Sequence, residues 1–151
     1  MKNSSSNAKS ERGSELVEFA LTLTILLSLI FGIIGFAQAA YAYHFVSNVA
    51  REATRYASVR GLTCPPAVLS DCPMTDLGIE SYVKNLAPSG INASQLSATR
   101  TSINPGGNCN GVAYNPGCAV QVNVTYPFAF LPMLHLPSFT ISSTSQMVIS
   151  Q

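Results

Sequence analysis

Charge is the scarcest property of this sequence. Acidic and basic residues together make up 10% of its 151 positions, against roughly 25% in an ordinary soluble domain. Part of the shortage is local: between Glu18 and Arg51 no formal charge occurs, and the only imidazole there is His44. A net charge of +1 excludes the basic surface that nucleic acid requires. Proline is missing from Ser14 to Arg60, so nothing there interrupts a helix. Cysteine is limited to four residues without a Cys-x-x-Cys, and His44 and His135 lie far from them, which argues against structural zinc. There is no Gly-x-Ser-x-Gly elbow and no phosphate-cradling glycine loop, so neither an enzyme nor a bound cofactor is expected.

What the chain has instead is hydrocarbon. Phe19 to Tyr43 is almost wholly apolar; as a helix this stretch measures about 37 Å, and ~20 apolar residues suffice to cross a bilayer. It is expected to be a transmembrane helix. Ser14 to about Arg60 reads as one helix of roughly 70 Å, stopped by Gly61 and by Pro65-Pro66. Past Tyr43 the helix turns amphipathic, with Arg51, Glu52 and Arg55 among alanines, so this part should leave the bilayer and pack on an exported domain. Small residues recur at Ser28, Gly32, Gly35, Ala39 and Ala42, and Val46, Val49, Ala53 and Tyr56 continue the stripe. Such a stripe lets membrane helices approach closely, although Gly and Ala are frequent in any span.

Residues 62–151 form the expected exported domain. Its cysteines fall into two local pairs, Cys64 with Cys72 and Cys109 with Cys118. Two disulfides in an oxidising compartment are expected, with three connectivities open to four cysteines. Asp76 is placed to cap a helix running to about Leu86, with Leu77, Tyr82, Val83 and Leu86 facing inward. Three strands are expected: Leu96 to Ile103, Ala119 to Tyr126 and Phe139 to Ile149. In the second, Val120, Val122, Val124 and Tyr126 share a face; in the third, Phe139, Ile141, Met147 and Ile149 do. The turns Asn104-Pro105-Gly106-Gly107 and Asn115-Pro116-Gly117 separate the first two. The apolar loop Tyr126 to Pro137 is either a surface for lipid or a partner subunit, or a connection tucked under the sheet. The expected class is α+β: a long N-terminal transmembrane helix packed on a small antiparallel sheet of about three strands.

Orientation is not decided by counting cations, since Lys2, Lys9 and Arg12 precede the span and Arg51, Arg55 and Arg60 follow it. The cysteines decide it. Disulfides form outside the cytoplasm, so the N-terminus lies inside and the domain outside.

At the head of the helix stands Gly13-Ser14-Glu15-Leu16-Val17-Glu18-Phe19. A small residue closes a basic leader, and a glutamate follows five positions later, ahead of the apolar run. This resembles the type III signal of type IV pilins and pseudopilins. With Val17 to Leu21 (VEFAL), Phe31 to Phe36, and Ala50 to Ala57 (AREATRYA), the chain resembles more narrowly the TadE family, pilin-like proteins of the tight-adherence (Flp-type) pilus. The resemblance is strongest over Gly13 to Gly61 and weaker over Val120 to Gln151. It implies a pilin-like fold and a cytoplasmic leader of residues 1–13, removed by prepilin peptidase between Gly13 and Ser14. It implies also that Glu18 is the +5 acid that pairs with the new α-amino group of a neighbouring subunit. The partners it implies are other pilin-like subunits, inner-membrane assembly proteins and the lipid bilayer, and the location is the bacterial inner membrane. Two other readings stand beside it: a secreted protein cut after Ala37-Gln38-Ala39 by signal peptidase, and an uncleaved signal anchor displaying a binding domain.

Overall fold

The computed structural model describes residues 7–65, 67, 71–103, 112–130 and 138–150, with backbone alone for 7–12. Helix α1 runs Asn7–Ser58, α2 Asp76–Asn85, and a 3-10 turn Ala93–Gln95 leads into strand β1, Ser97–Ile103; β2 is Ala119–Phe128 and β3 Phe139–Val148. The strands form one antiparallel sheet in the order β1-β2-β3. The class is α+β, with a long apolar N-terminal helix and a three-stranded sheet, as the sequence implies. The chain divides into two compact units, residues 1–38 and 39–151.

The described part of the first unit is helix alone. Its large apolar side chains stay uncovered: Leu16 is 70% exposed and Phe36 73%. The hydroxyls of Thr22 and Thr24 donate to the carbonyls of Phe19 (2.9 Å) and Ala20 (2.8 Å), so neither needs water. The helix begins at Asn7, earlier than the expected start at Ser14, because nothing in the polar run before Gly13 breaks it.

The second unit holds the core. Along α1, Ala42, Val46, Val49, Ala53 and Ala57 are buried at steps of four and three that define one helical face, widened by the buried Ala50 beside Val49. The β2 side chains Val120, Val122, Val124, Tyr126 and Phe128 belong to the same cluster. This is the expected alternation of β2, extended by two residues. Pro127 is tolerated in this central strand because it lies past Thr125, the last β2 residue paired with β1. Thr54, fully buried, donates its hydroxyl to the Ala50 carbonyl at 2.7 Å. Of the expected β3 face, Ile141 and Ile149 are buried, whereas Phe139 and Met147 are each more than 40% exposed.

Several boundaries differ from the sequence reading. Helix α1 stops at Ser58 rather than Arg60. The Arg60 N–H donates to the Ala57 carbonyl, and the Ser150 N–H donates to the Ser58 carbonyl at 3.0 Å, so partners from outside the helix take its last acceptors. The cap of α2 is Thr75, whose Oγ1 accepts from the Gly78 N–H at 3.1 Å. Asp76 instead pairs with Arg100 of β1. That start turns Ile79 and Val83 inward and leaves Leu77 79% exposed and Leu86 41%, which corrects two of the four expected inward residues. Strand β1 starts at Ser97, with Leu96 buried just before it.

Cys64 and Cys72 form the expected disulfide. Cys118 is buried and also disulfide-bonded; Cys109 lies outside the described residues, as do the Asn104–Gly107 turn, His135 and most of the Tyr126–Pro137 loop. In the Asn115–Cys118 turn the Cys118 N–H donates to the Asn115 carbonyl at 3.0 Å, and Gly117 takes φ +89°. Pro116 followed by a residue of positive φ makes this a type II turn, where glycine is required.

The alanine face leaves no room for larger side chains. Ala53→Leu should destabilise the second unit by about 1–3 kcal/mol through overpacking, whereas Leu77→Ala should stay within about 0.5 kcal/mol. Denaturant titration of the detergent-solubilised full chain measures both.

Candidate functional site

The residues singled out at the head of α1 sit on a helix that nothing covers. Gly13, Ser14, Glu15 and Glu18 are all exposed, and a Cβ added to Gly13 would meet nothing within 4 Å. Ser14 and Glu18 are four residues apart and so share one face, a single turn from each other. The bond between Gly13 and Ser14 is helical. A protease that reads it must first draw it into an extended conformation, and glycine eases that unwinding by about 1 kcal/mol relative to alanine.

Below this point the apolar surface is continuous. From Leu16 to Phe36 the large side chains are 40–73% exposed, and only 6% of the most apolar window of the helix is buried. Soluble monomers rarely leave contiguous apolar patches beyond a few hundred Å² in water, and a soluble core helix would be mostly buried. This helix is long and apolar enough to cross a membrane, which is compatible with a single-pass anchor. Along the expected packing stripe, Ser28 and Gly32 are exposed, Gly35 is buried, Ala39 half-buried and Ala42 buried. From Ala42 onward the stripe is the core face of the second unit.

The C-terminal end of α1 is clamped by aromatic rings. Tyr56 stacks on Tyr82 of α2, with centroids 3.9 Å apart and planes 7° from parallel, and the Arg60 guanidinium lies 3.5 Å over the Tyr56 centroid. The Tyr82 hydroxyl donates to Glu52 Oε1 at 3.4 Å, and the Tyr56 hydroxyl to Asp71 Oδ2 at 3.4 Å. Burial, reinforced by the Glu52 carboxylate, raises the Tyr82 pKa above 10.0. Sequence reasoning placed Tyr82 correctly but missed the clamp. Its one local signal is Tyr56 followed by Arg60 one turn later. Beside the clamp, an open groove of about 620 Å³ runs between the outer part of α1, the end of α2 and β3. Among the described residues no group of three or more His, Cys, Asp or Glu side chains is placed to hold a metal.

The segment that carries all the motif residues also carries the family signal. Residues 13–55 match the model of the TadE-like protein family. No curated protein and no solved structure matches the chain. The TadE-like segment starts on Gly13 and ends on Arg55, entirely within α1, and it links the chain to the tight-adherence pilus system and, in general terms, to that system's partners.

The raised pKa of Tyr82 fixes a sign. A group titrating higher in the folded state than in the unfolded one stabilises the fold fully below the unfolded value, near 10, and that stability is lost as pH rises through the folded value. Ultraviolet titration should therefore show a tyrosine ionisation above 10.0 that is missing in Tyr82→Phe. The clamp should loosen only on that alkaline side.

Proposed function

We propose that this protein is a minor pilin or pseudopilin that takes part in assembling, initiating or anchoring a tight-adherence (Flp-type) pilus used for adhesion or surface colonisation. The observation that carries this reading is the coincidence of the TadE-like match, which begins at the candidate cleavage site, with one unbroken helix that contains it whole. In this reading, prepilin peptidase acts on the cytoplasmic side and removes residues 1–13, leaving Ser14 as the new N-terminus. The apolar part of α1 holds the chain in the bacterial inner membrane, and residues 62–151 face the periplasm or the cell exterior, where the Cys64–Cys72 disulfide is stable. The Glu18 carboxylate, expensive at the edge of hydrocarbon without a partner, pairs with the α-amino group of a neighbouring subunit. The exposed Ser28 and Gly32 let a second helix approach closely. The protein performs no catalysis; its chemistry is insertion, processing and helix packing.

N-terminal sequencing of protein made together with a prepilin peptidase tests the reading. Ser14 is the expected first residue, and Gly13→Val should leave the full-length chain uncut. Ala40 at the N-terminus would make the chain a secreted protein, and an intact leader beside an active peptidase would reduce it to a membrane-anchored domain. Glu18→Ala should be cut normally yet recovered with other pilus subunits at least ~10-fold less, as expected when a buried charge pair loses one member.

A further inference from the structure

Three arginines follow the apolar stretch on the side where cations are disfavoured next to a span. Arg60 has a structural task in the stack on Tyr56. Arg51 and Arg55 do not share it: both are exposed, and the salt bridges among the described residues, Lys84–Glu80 and Arg100–Asp76, involve neither. As residues one turn apart with like charge they repel each other on the helix. Both line the open groove, whose apolar wall is made by Phe45, Val49, Leu86 and Met147. Leu86 and Met147 are each 41% exposed, so this wall is uncovered. Glu52 also borders the groove, but its carboxylate accepts the Tyr82 hydroxyl.

The groove also lies at a definite depth. Tyr41 and Tyr43 are 48% and 58% exposed and end the apolar run, where tyrosines mark the boundary between hydrocarbon and headgroups. The Arg51 Cα lies about 12 Å beyond Tyr43 along the helix axis. A helical side chain leans over the turn before its own Cα, which returns the guanidinium by ~5 Å, one turn, towards the bilayer. That places it at the edge of a headgroup layer ~5–8 Å deep, with the apolar wall of the groove opening beside it.

We propose that this groove binds one anionic glycerophospholipid, its phosphate between Arg51 and Arg55 and part of an acyl chain against Phe45, Val49, Leu86 and Met147. The site rests on the reading of α1 as a membrane anchor with the domain outside. Charge complementarity selects the anionic headgroup, and the apolar wall selects a lipid over a free phosphate ester. Bound there, the lipid neutralises the two arginines and fixes the height of the domain above the membrane.

The test uses the full chain in vesicles of phosphatidylcholine alone or with phosphatidylglycerol, followed by native mass spectrometry of the extracted protein. Wild type should float with both vesicle types and retain one phosphatidylglycerol. Arg51→Gln/Arg55→Gln should float equally well but retain it about tenfold less or weaker still. Met147→Asp, which acts from the opposite wall and leaves α1 untouched, should lose it too, whereas Lys84→Gln, a cation removed outside the groove, should not. Glycerol phosphate in solution should fail to displace the lipid. Equal retention by both groove variants, equal loss in Lys84→Gln, displacement by glycerol phosphate, or a dimer of the chain in place of a lipid adduct would each overturn the site. Failure of wild type to float even with neutral vesicles would overturn the membrane reading and the site with it.

Discussion

The second unit depends on how closely one helix face can be approached. Ala42, Ala50, Ala53 and Ala57, with Val46 and Val49, project little beyond the backbone of α1, and all are buried. Where helix side chains are this small, larger residues elsewhere in the buried cluster supply most of its volume, among them the valines and aromatic residues of β2. Dense packing transmits any change in volume, so the spacing of alanines along α1 also dictates where the sheet can rest. The remaining devices hold that arrangement in register. The ring stack of Tyr56 on Tyr82 fixes α2 beside α1, the Arg100–Asp76 pair ties α2 to β1, and the Ser150 N–H binds the last turn of α1 to the end of the chain.

The same helix presents two kinds of surface along its length, and its composition changes accordingly. Towards its start the large apolar side chains are exposed and hydroxyls are satisfied by the helix's own carbonyls. Towards its end the apolar residues are small and buried, and the exposed positions carry Arg51, Glu52 and Arg55. In lipid, burial of apolar groups supplies no drive for association, so small residues serve close contact; in water the same residue types serve a hydrophobic core. One stripe at steps of three and four therefore does both tasks, and a reading that assigns the whole stripe to a single role is incomplete.

Much of this was legible in the residues. The strands appear within one or two positions of where alternation puts them, because Val120, Val122 and Val124 on one side and Gln121, Asn123 and Thr125 on the other leave a single register that buries the valines. The span follows from length and the lack of charge. What the sequence hid are the choices made by tertiary contacts. Thr75 and Asp76 are both acceptable caps by type; Arg100, 24 residues later, draws Asp76 to itself and leaves the cap to Thr75. Leu77 looks like a core residue until that choice turns it to solvent. Helix α1 ends early because Ser150, two residues past β3, delivers an N–H donor to Ser58, an event no local window contains. The groove was invisible for the same reason, since its walls come from three separate elements.

Cation placement joins these strands of reasoning. A simple count of lysines and arginines on either side of the apolar stretch is balanced, so it does not orient the chain. The structure shows why such a count is a poor guide here: the cations beyond the stretch are not equivalent. Arg60 is bound to the rings and backbone of its own domain through Tyr56, and an arginine engaged in this way reports on folding rather than on topology. Of these three cations, Arg51 and Arg55 are exposed. The proposed orientation then rests on the disulfide, a bond favoured in an oxidising compartment, and not on electrostatics. In the proposed topology it is the cross-link Cys64–Cys72, placed just after the helix ends, that ties the anchor to the compartment in which its domain folds.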